Sequence, residues 1–146
     1  MANRKIQIHN THHKVTIKAP PIQRLVKKIL INEKVGDAEI TIVFADHPYI
    51  IDLNTKFLNK TTTTDVISFP LSDDDSPVLV GEIYINIDQI AVQSVEFHES
   101  FFRELNRIVV HGVLHLTGYD DTSDSAKKQM TAREDYYLDL IKKEEE

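Results

Sequence analysis

Two histidines four positions apart are the residues of this chain whose types and spacing are best suited to chemistry. His111 and His115 lie in a helical pattern, so one turn places both imidazoles on one face, with a rise of roughly 6 Å between their Cα atoms. Two ring nitrogens can then bind one metal ion at about 2.0–2.1 Å. Gly118 permits the left-handed backbone that ends a helix, and Asp121 follows as a possible third ligand. Three protein ligands leave a tetrahedral ion one position for water, as in catalytic sites.

The same two histidines have a structural alternative, in which both are packed on an apolar helix without a metal. Neutral imidazoles there need hydrogen-bond partners, and few are evident in the neighbouring sequence, which favours a metal. Gly112 stands where H-E-x-x-H peptidases carry the glutamate that acts as general base, so the sequence leaves the catalytic base unknown. Glu104, seven residues before His111, is either an orienting group behind a ligand or, more simply, a solvated side chain.

Hydrophobic periodicity predicts the elements that position these residues. Alternation predicts four strands, and 3.6-residue spacing predicts helices that are concentrated toward the C-terminus. Asp46 and Asp88 are expected to cap the helices that follow them. The expected fold is a single α+β domain over residues 1–146, a mixed sheet of about four strands with helices packed on it and the metal site on a central helix. The predicted strands are 5–9, 39–44, 66–69 and 81–87, and the predicted helices are 22–30, a stretch after 46, 99–117 and 123–143.

Composition excludes several classes of protein. The chain has 146 residues and no cysteine, so disulfides, cysteine-ligated metals and a cysteine nucleophile are excluded. No apolar run approaches the roughly 18 residues of a membrane span, and the N-terminus lacks a signal peptide, so we expect a cytoplasmic protein without a membrane partner.

The charge of the chain is unevenly distributed. Residues 1–60 carry ten Lys/Arg and five Asp/Glu, whereas residues 61–146 carry seven and eighteen, for a net charge of −6. A basic half can form a phosphate-facing surface, although such asymmetry is also typical of ordinary solvated surfaces.

The segment His111–Asp121, HGVLHLTGYDD, resembles the H-G-x-L-H-L-x-G-Y-D-H signature of the YbeY family of bacterial metal-dependent endoribonucleases. Three more stretches are similar to the family's other motifs, in the same order: Leu53-Asn54, Thr64–Pro70 and Gly81–Ile83. The resemblance covers about residues 50–145. It implies an α+β fold, one zinc-like ion with a catalytic water, single-stranded RNA as substrate, and roles in maturing the 3′ end of small-subunit ribosomal RNA and in ribosome quality control.

Carried over by position, the resemblance makes His111, His115 and Asp121 the metal ligands, with Zn²⁺ as the expected ion. The family usually has His where this chain has Asp121; a carboxylate lowers the charge of the site by one and should make the metal a weaker Lewis acid. The family commonly has an Arg where this chain has Leu58, and the resemblance implies a phosphate contact at that position.

Three residues are candidates for binding substrate. Lys56 or Lys60 could replace the positive charge that the family places at Leu58, although each is equally typical of a solvated surface lysine. Ser68 is either a substrate contact or a hydroxyl that bonds to nearby backbone. The basic first half is expected to hold the RNA backbone with salt-dependent affinity.

The leading hypothesis is therefore a metal-dependent hydrolase that cuts single-stranded RNA. Two rivals stay open: a metal-dependent peptidase or other hydrolase, and a non-catalytic ribosome-associated RNA-binding protein with a structural metal, in which a fourth protein ligand closes the site. Asp120 is the adjacent candidate for such a ligand. The remaining histidines show no matching spacing and are interpreted as surface or structural residues: His9, His12, His13, His47 and His98.

Overall fold

The fold is α+β, as the periodicity predicted. A computed structural model describes residues 1–145 and contains, within that range, four strands and five helices. The strands are β1 (Arg4–Asn10), β2 (Asp37–Ala45), β3 (Val66–Pro70) and β4 (Val78–Asn86), and the helices are α1 (Ala19–Asn32), α2 (His47–Phe57), α3 (Ile87–Glu96), α4 (Phe101–Leu116) and α5 (Asp124–Glu145). No helix within residues 1–145 combines the length and apolar character needed to cross a membrane.

The four strands form one mixed sheet in the order β1-β2-β4-β3. β1 and β4 pair with β2 in parallel, and β3 pairs with β4 antiparallel. β1 and β3 are therefore the two outer strands, at opposite edges of the sheet.

One face of the sheet forms the main core. Alternate residues of β2 and β4 are fully buried there, including Ile42, Phe44, Ile83 and Ile85, because successive side chains of a strand point to opposite faces. Helices α1, α3, α4 and α5 contribute to this core. The opposite face carries polar side chains over β1 and β2, and near β3 it packs against α2 in a smaller apolar cluster.

Helix α4 contacts α1, α3 and α5, and it lies close to the sheet because two glycines leave out the side chains that would separate them. A Cβ built on Gly112 would lie 2.8 Å from Cγ2 of Ile83, and one built on Gly81 would lie 2.6 Å from a methyl carbon of Leu116. Both contacts are too close for ordinary packing, so a larger residue at either position would push α4 away from the sheet. Gly112 therefore faces the sheet, and the histidine beside it in the chain faces outward.

The outer edge of β3 exposes backbone groups. Asp65 accepts a bond from Asn86 and Leu71 donates one to Val80, so the odd-numbered residues of β3 turn their backbone toward β4. Because pairing alternates along an antiparallel ladder, the even-numbered residues turn their N–H and C=O groups away from it. The edge thus presents the backbone of 66, 68 and 70.

Two details of the sequence interpretation were wrong. Asn86, rather than Asp88, caps the helix after β4: its side chain accepts from the N–H of Gln89, and Asp88 lies within the first turn of α3. Glu104 is not solvated, since it is 2% exposed and accepts a hydrogen bond from Gln93. The cap expected at Asp46 is confirmed by its bond to the N–H of Tyr49.

Candidate metal centre

A Schellman turn at the end of α4 brings the predicted ligands together. Thr117 ends the helix, and Gly118 follows at φ +113°, a conformation that side chains other than glycine rarely adopt. The N–H of Gly118 donates to the carbonyl of His115, and that of Tyr119 donates to Leu114, which satisfies the last carbonyls of the helix. The chain then reverses and carries Asp121 back toward the histidines.

The three side chains converge to the spacing of a metal site. The Nε2 atoms of His111 and His115 are 3.0 Å apart, and the carboxylate oxygens of Asp121 lie 3.6 Å from the first and 3.8 Å from the second. Ligands about 2.05 Å from a tetrahedral ion are separated by about 3.3 Å, so these distances fit such an ion with small adjustments. One ligand atom from each residue lies within 4.8 Å of the others, so the donor set suits a divalent cation.

His111 is oriented by a residue that the sequence interpretation did not identify. Its Nδ1 donates to the carboxylate of Glu134 at 2.7 Å, which leaves the Nε2 lone pair facing Asp121 and His115. Glu134 is 7% exposed and lies on α5, which packs on α4. A carboxylate behind a ligating imidazole fixes its tautomer and raises its basicity. The sequence around Glu134 did not distinguish it, because helix α5 carries several other acidic residues.

The surrounding charges favour proton or cation binding at His111. Burial lowers the pKa of His111, but the hydrogen bond to Glu134 and the charges of Glu134, Asp121 and Asp65 outweigh burial and raise it above its usual range. A site whose negative field stabilises a proton on imidazole also stabilises a divalent cation at the same nitrogen.

An ion-pair cluster holds Glu134 in place. Arg107 Nη1 lies 3.3 Å from Glu134 and 3.1 Å from Asp135. Glu104 contacts the same guanidinium at 3.9 Å but forms no bond to His111, so Glu134 and not Glu104 occupies the orienting position. Burial raises the pKa of Glu104, which the Gln93 hydrogen bond and Arg107 partly offset.

The three converging residues lie in the wall of an open pocket of about 770 Å³ between α4 and the free edge of β3. Lys60, Leu58 and Ser68 also line it, whereas Lys56 does not and pairs with Asp52 at 3.0 Å. The structure thus brings two of the three proposed substrate residues beside the histidines. The Ser68 hydroxyl donates to the carbonyl of Gly112 at 3.2 Å, which ties β3 to α4.

The threonine-rich loop on the other side of the pocket is held by buried amides. Asn54 Nδ2 donates to the carbonyl of Thr62 at 2.6 Å, and Asn86 Nδ2 donates to Thr63 Oγ1 at 2.8 Å and to the carbonyl of Thr64. Both asparagines are at most 2% exposed. The loop therefore has a defined shape beside the predicted ligands.

Two further histidines have structural contacts. His12 bonds to Asp88 at 2.8 Å, and the backbone N–H of His47 donates to the second oxygen of the same carboxylate. Their interpretation as structural residues agrees with these contacts. Asp120 accepts bonds from Thr122, and among the side chains that the structure describes (residues 1–143) the group of converging ligands contains His111, His115 and Asp121.

Two histidines and a carboxylate beside an open pocket, on an α+β scaffold, are the arrangement of a metal-dependent hydrolase. Residues 7–142 match the family model described as Endoribonuclease YbeY. The chain belongs to this family, whose members are hydrolytic nucleases known for ribosomal RNA maturation. The resemblance carried by the sequence motifs is confirmed.

Individual relatives agree with the family match. The Endoribonuclease YbeY of Karelsulcia muelleri is 43% identical over 105 residues, covering 72% of this chain and 73% of that protein. The Endoribonuclease YbeY of Salinibacter ruber is 32% identical over 143 residues, covering 93% and 91%. The solution structure of TM1509 from Thermotoga maritima is similar at a TM-score of 0.71 and 29% identity, covering 95% of this chain and 90% of that one.

Proposed function

We propose that this chain is a single-domain, zinc-dependent endoribonuclease that cuts single-stranded RNA at the pocket between α4 and β3. The observation that carries the proposal is the convergence of His111, His115 and Asp121 at an open, partly polar pocket. With three protein ligands, the site has the composition of a catalytic rather than a closed structural zinc centre.

Each of these residues would have a separate role in binding the ion or the substrate. His111 and His115 would hold the ion through Nε2, with Glu134 keeping the His111 ring in the required tautomer. Asp121 would complete the ligand set. Lys60 would donate to a substrate phosphate as a point charge, without the forked geometry of an arginine. When bound, a divalent ion supplies polarisation of a phosphoryl oxygen and a more acidic water.

Family membership supports a proposal for the biological substrate. We infer that the chain acts in the cytoplasm on ribosomal RNA, at the 3′ end of the small-subunit RNA, with a role in ribosome quality control and association with the ribosome. Unpaired RNA suits an open pocket because its backbone and bases can be reached without separating a duplex.

Gly112 argues against the peptidase alternative. Its Cβ position is already in contact with Ile83, so the chain has no room there for the glutamate that serves such peptidases as a base. A structural metal would need a fourth protein ligand, and Asp120, the adjacent candidate, bonds instead within its own turn.

The test combines metal content with cleavage. His111→Ala, His115→Ala and Asp121→Ala should each lose bound zinc and cleavage of single-stranded RNA while remaining folded by circular dichroism. His13→Ala, which removes an exposed histidine, is the matched control and should keep both. Metal retained at full occupancy by all three variants would refute the ligand assignment. Cleavage of peptides with RNA left intact would establish the peptidase instead.

The substitution Asp121→His tests the role of the carboxylate. It should keep zinc bound and retain cleavage of single-stranded RNA, since imidazole is an equally competent ligand. An inactive variant at full metal occupancy would mean that Asp121 does more than bind the ion.

A further inference from the structure

The first 32 residues form a strongly basic segment. They contain seven Lys and Arg and no Asp or Glu. In the structure this segment builds β1 and α1, which pack together: the side-chain amide of Gln23 on α1 donates to the carbonyl of Ile6 on β1 at 3.0 Å. The basic segment therefore builds one outer strand of the sheet and the helix bonded to it.

The metal pocket lies at the other edge. β3 lines the pocket, and β1 and β3 are the two outer strands of the four-stranded sheet. No residue of the basic segment is among those that line the pocket, so its cations lie outside the pocket.

The pocket itself carries little charge that would attract a polyanion. Among the described residues that line it, Lys60 is the cation, and Asp65 and Asp121 are carboxylates. Their formal sum is −1, and a divalent ion would bring it to +1. Most of the affinity for an RNA backbone must then come from contacts outside the pocket.

Helix α1 presents cations suited to such contacts. Lys27 and Lys28 follow Arg24 by three and four positions, so the three side chains lie on one face of the helix. They line a groove of about 550 Å³ that also includes the exposed side chain of Ile31. Arg24 and Lys27 are exposed, and neither forms an ion pair with a carboxylate among the described side chains of residues 1–143. We propose that this face of α1, defined by Arg24, Lys27 and Lys28, binds the phosphate backbone of RNA as a second site, separate from the metal pocket.

The proposal rests on RNA being the substrate, and it makes RNA length the variable to test. An RNA long enough to reach from the pocket to α1 would contact both sites, whereas a short oligonucleotide would contact the pocket alone. The α1 site should therefore increase the affinity for long RNA without changing the chemistry at the metal.

The experiment compares two charge-matched double variants of the zinc-loaded protein. Arg24→Gln/Lys27→Gln removes two cations from α1, and Lys127→Gln/Lys128→Gln removes two exposed cations from α5. Binding of an RNA of about 30 nucleotides is measured by fluorescence anisotropy between 50 and 200 mM salt, with cleavage of an oligonucleotide of about five nucleotides measured in parallel.

The α1 variant should bind the long RNA more weakly, with the slope of log K against log salt reduced by about 1.4 for two lost phosphate contacts, and should cleave the short oligonucleotide at the wild-type rate. Equal slopes for both double variants would overturn the proposal while leaving cleavage, and thus the proposed function, intact. If the zinc-loaded wild type fails to cleave RNA while the α1 variant still shows the reduced salt slope, the proposed function is wrong and the α1 binding site is retained. Preferential binding of the wild type to phosphatidylserine vesicles over RNA at equal salt would assign the surface to a membrane and also overturn it.

Discussion

Individual side chains would set the properties of the proposed metal centre through two layers of contact. His111, His115 and Asp121 form the inner layer, and Glu134 bonds to the far nitrogen of His111 at 2.7 Å. With carboxylates in both layers, the site is more negative than one built from three histidines. Such a site should bind a divalent cation firmly and activate its bound water less strongly.

Glu134→Gln tests the outer layer. The substitution keeps the volume and an acceptor oxygen but removes the charge behind His111, so we expect zinc affinity to fall about 10- to 100-fold with the fold retained. Affinity is measured by competition with a chromophoric chelator. Asp135→Asn is the matched control, because Asp135 contacts Arg107 but not His111. Equal affinities for the two variants would show that Glu134 is merely structural.

Close packing of α4 on the sheet depends on Gly112. Gly112→Ala should destabilise the protein by about 1–3 kcal/mol, because the new methyl group would overlap the stiff, β-branched side chain of Ile83. Gly36→Ala is the control: nothing lies within 4 Å of its Cβ position, so the change should be neutral or slightly stabilising. Urea unfolding measures both. A Gly112→Ala protein as stable as Gly36→Ala would mean that the helix can shift freely.

A polar cluster around Glu33 joins elements that are distant in the sequence. The carboxylate of Glu33, just after α1, accepts bonds from Tyr119 at 2.6 Å and from Tyr137, and it pairs with Arg133 at 2.5 Å. These contacts join α1 to α5 and to the turn that leads to Asp121. The position of the third predicted ligand thus depends on a contact on the far side of its turn.

Glu33→Gln should weaken this junction in a pH-dependent way. Burial raises the pKa of Glu33, but the bonds from Tyr119, Tyr137 and Arg133 outweigh it and hold the pKa below its usual 4.5. A carboxyl with a lowered pKa in the folded state contributes stability above pH 4.5 and loses it as the pH falls through the folded value. We expect a loss of about 1–3 kcal/mol at pH 7 that shrinks below pH 4.5, measured by urea unfolding. A loss that is constant from pH 7 to pH 3.5 would contradict this.

The local parts of the structure could be predicted from sequence, and the non-local parts could not. The spacing of His111 and His115 and the glycine turn depend on neighbours in the chain, so helical geometry predicted that both rings share one face and made Asp121 a possible third ligand. The family resemblance then implied the full ligand set. The bond from His111 to Glu134 joins residues 23 positions apart and depends on how α5 packs on α4. The placement of β4 between β2 and β3 also arises from tertiary packing, as does the burial of Glu104.

For the molecule as a whole, the metal should act as a stabilising ligand. A cation that binds the folded chain at 100 times its dissociation constant adds about 2.7 kcal/mol to the free energy of unfolding, a rise of several degrees in Tm. Zinc should therefore raise the Tm of the wild type and of His13→Ala, and leave His115→Ala unchanged, in differential scanning calorimetry. A similar rise for His115→Ala would indicate that zinc binds elsewhere.

The exposed edge of β3 has a consequence for behaviour at high concentration. An uncovered strand can pair with the same strand of another molecule and begin aggregation. Pro70 has no N–H, so the outward-facing donors of this strand are those of Val66 and Ser68, and a ladder between two copies would stop after them. The proline that ends β3 thereby limits pairing between copies and helps to keep the pocket beside β3 accessible in a crowded solution.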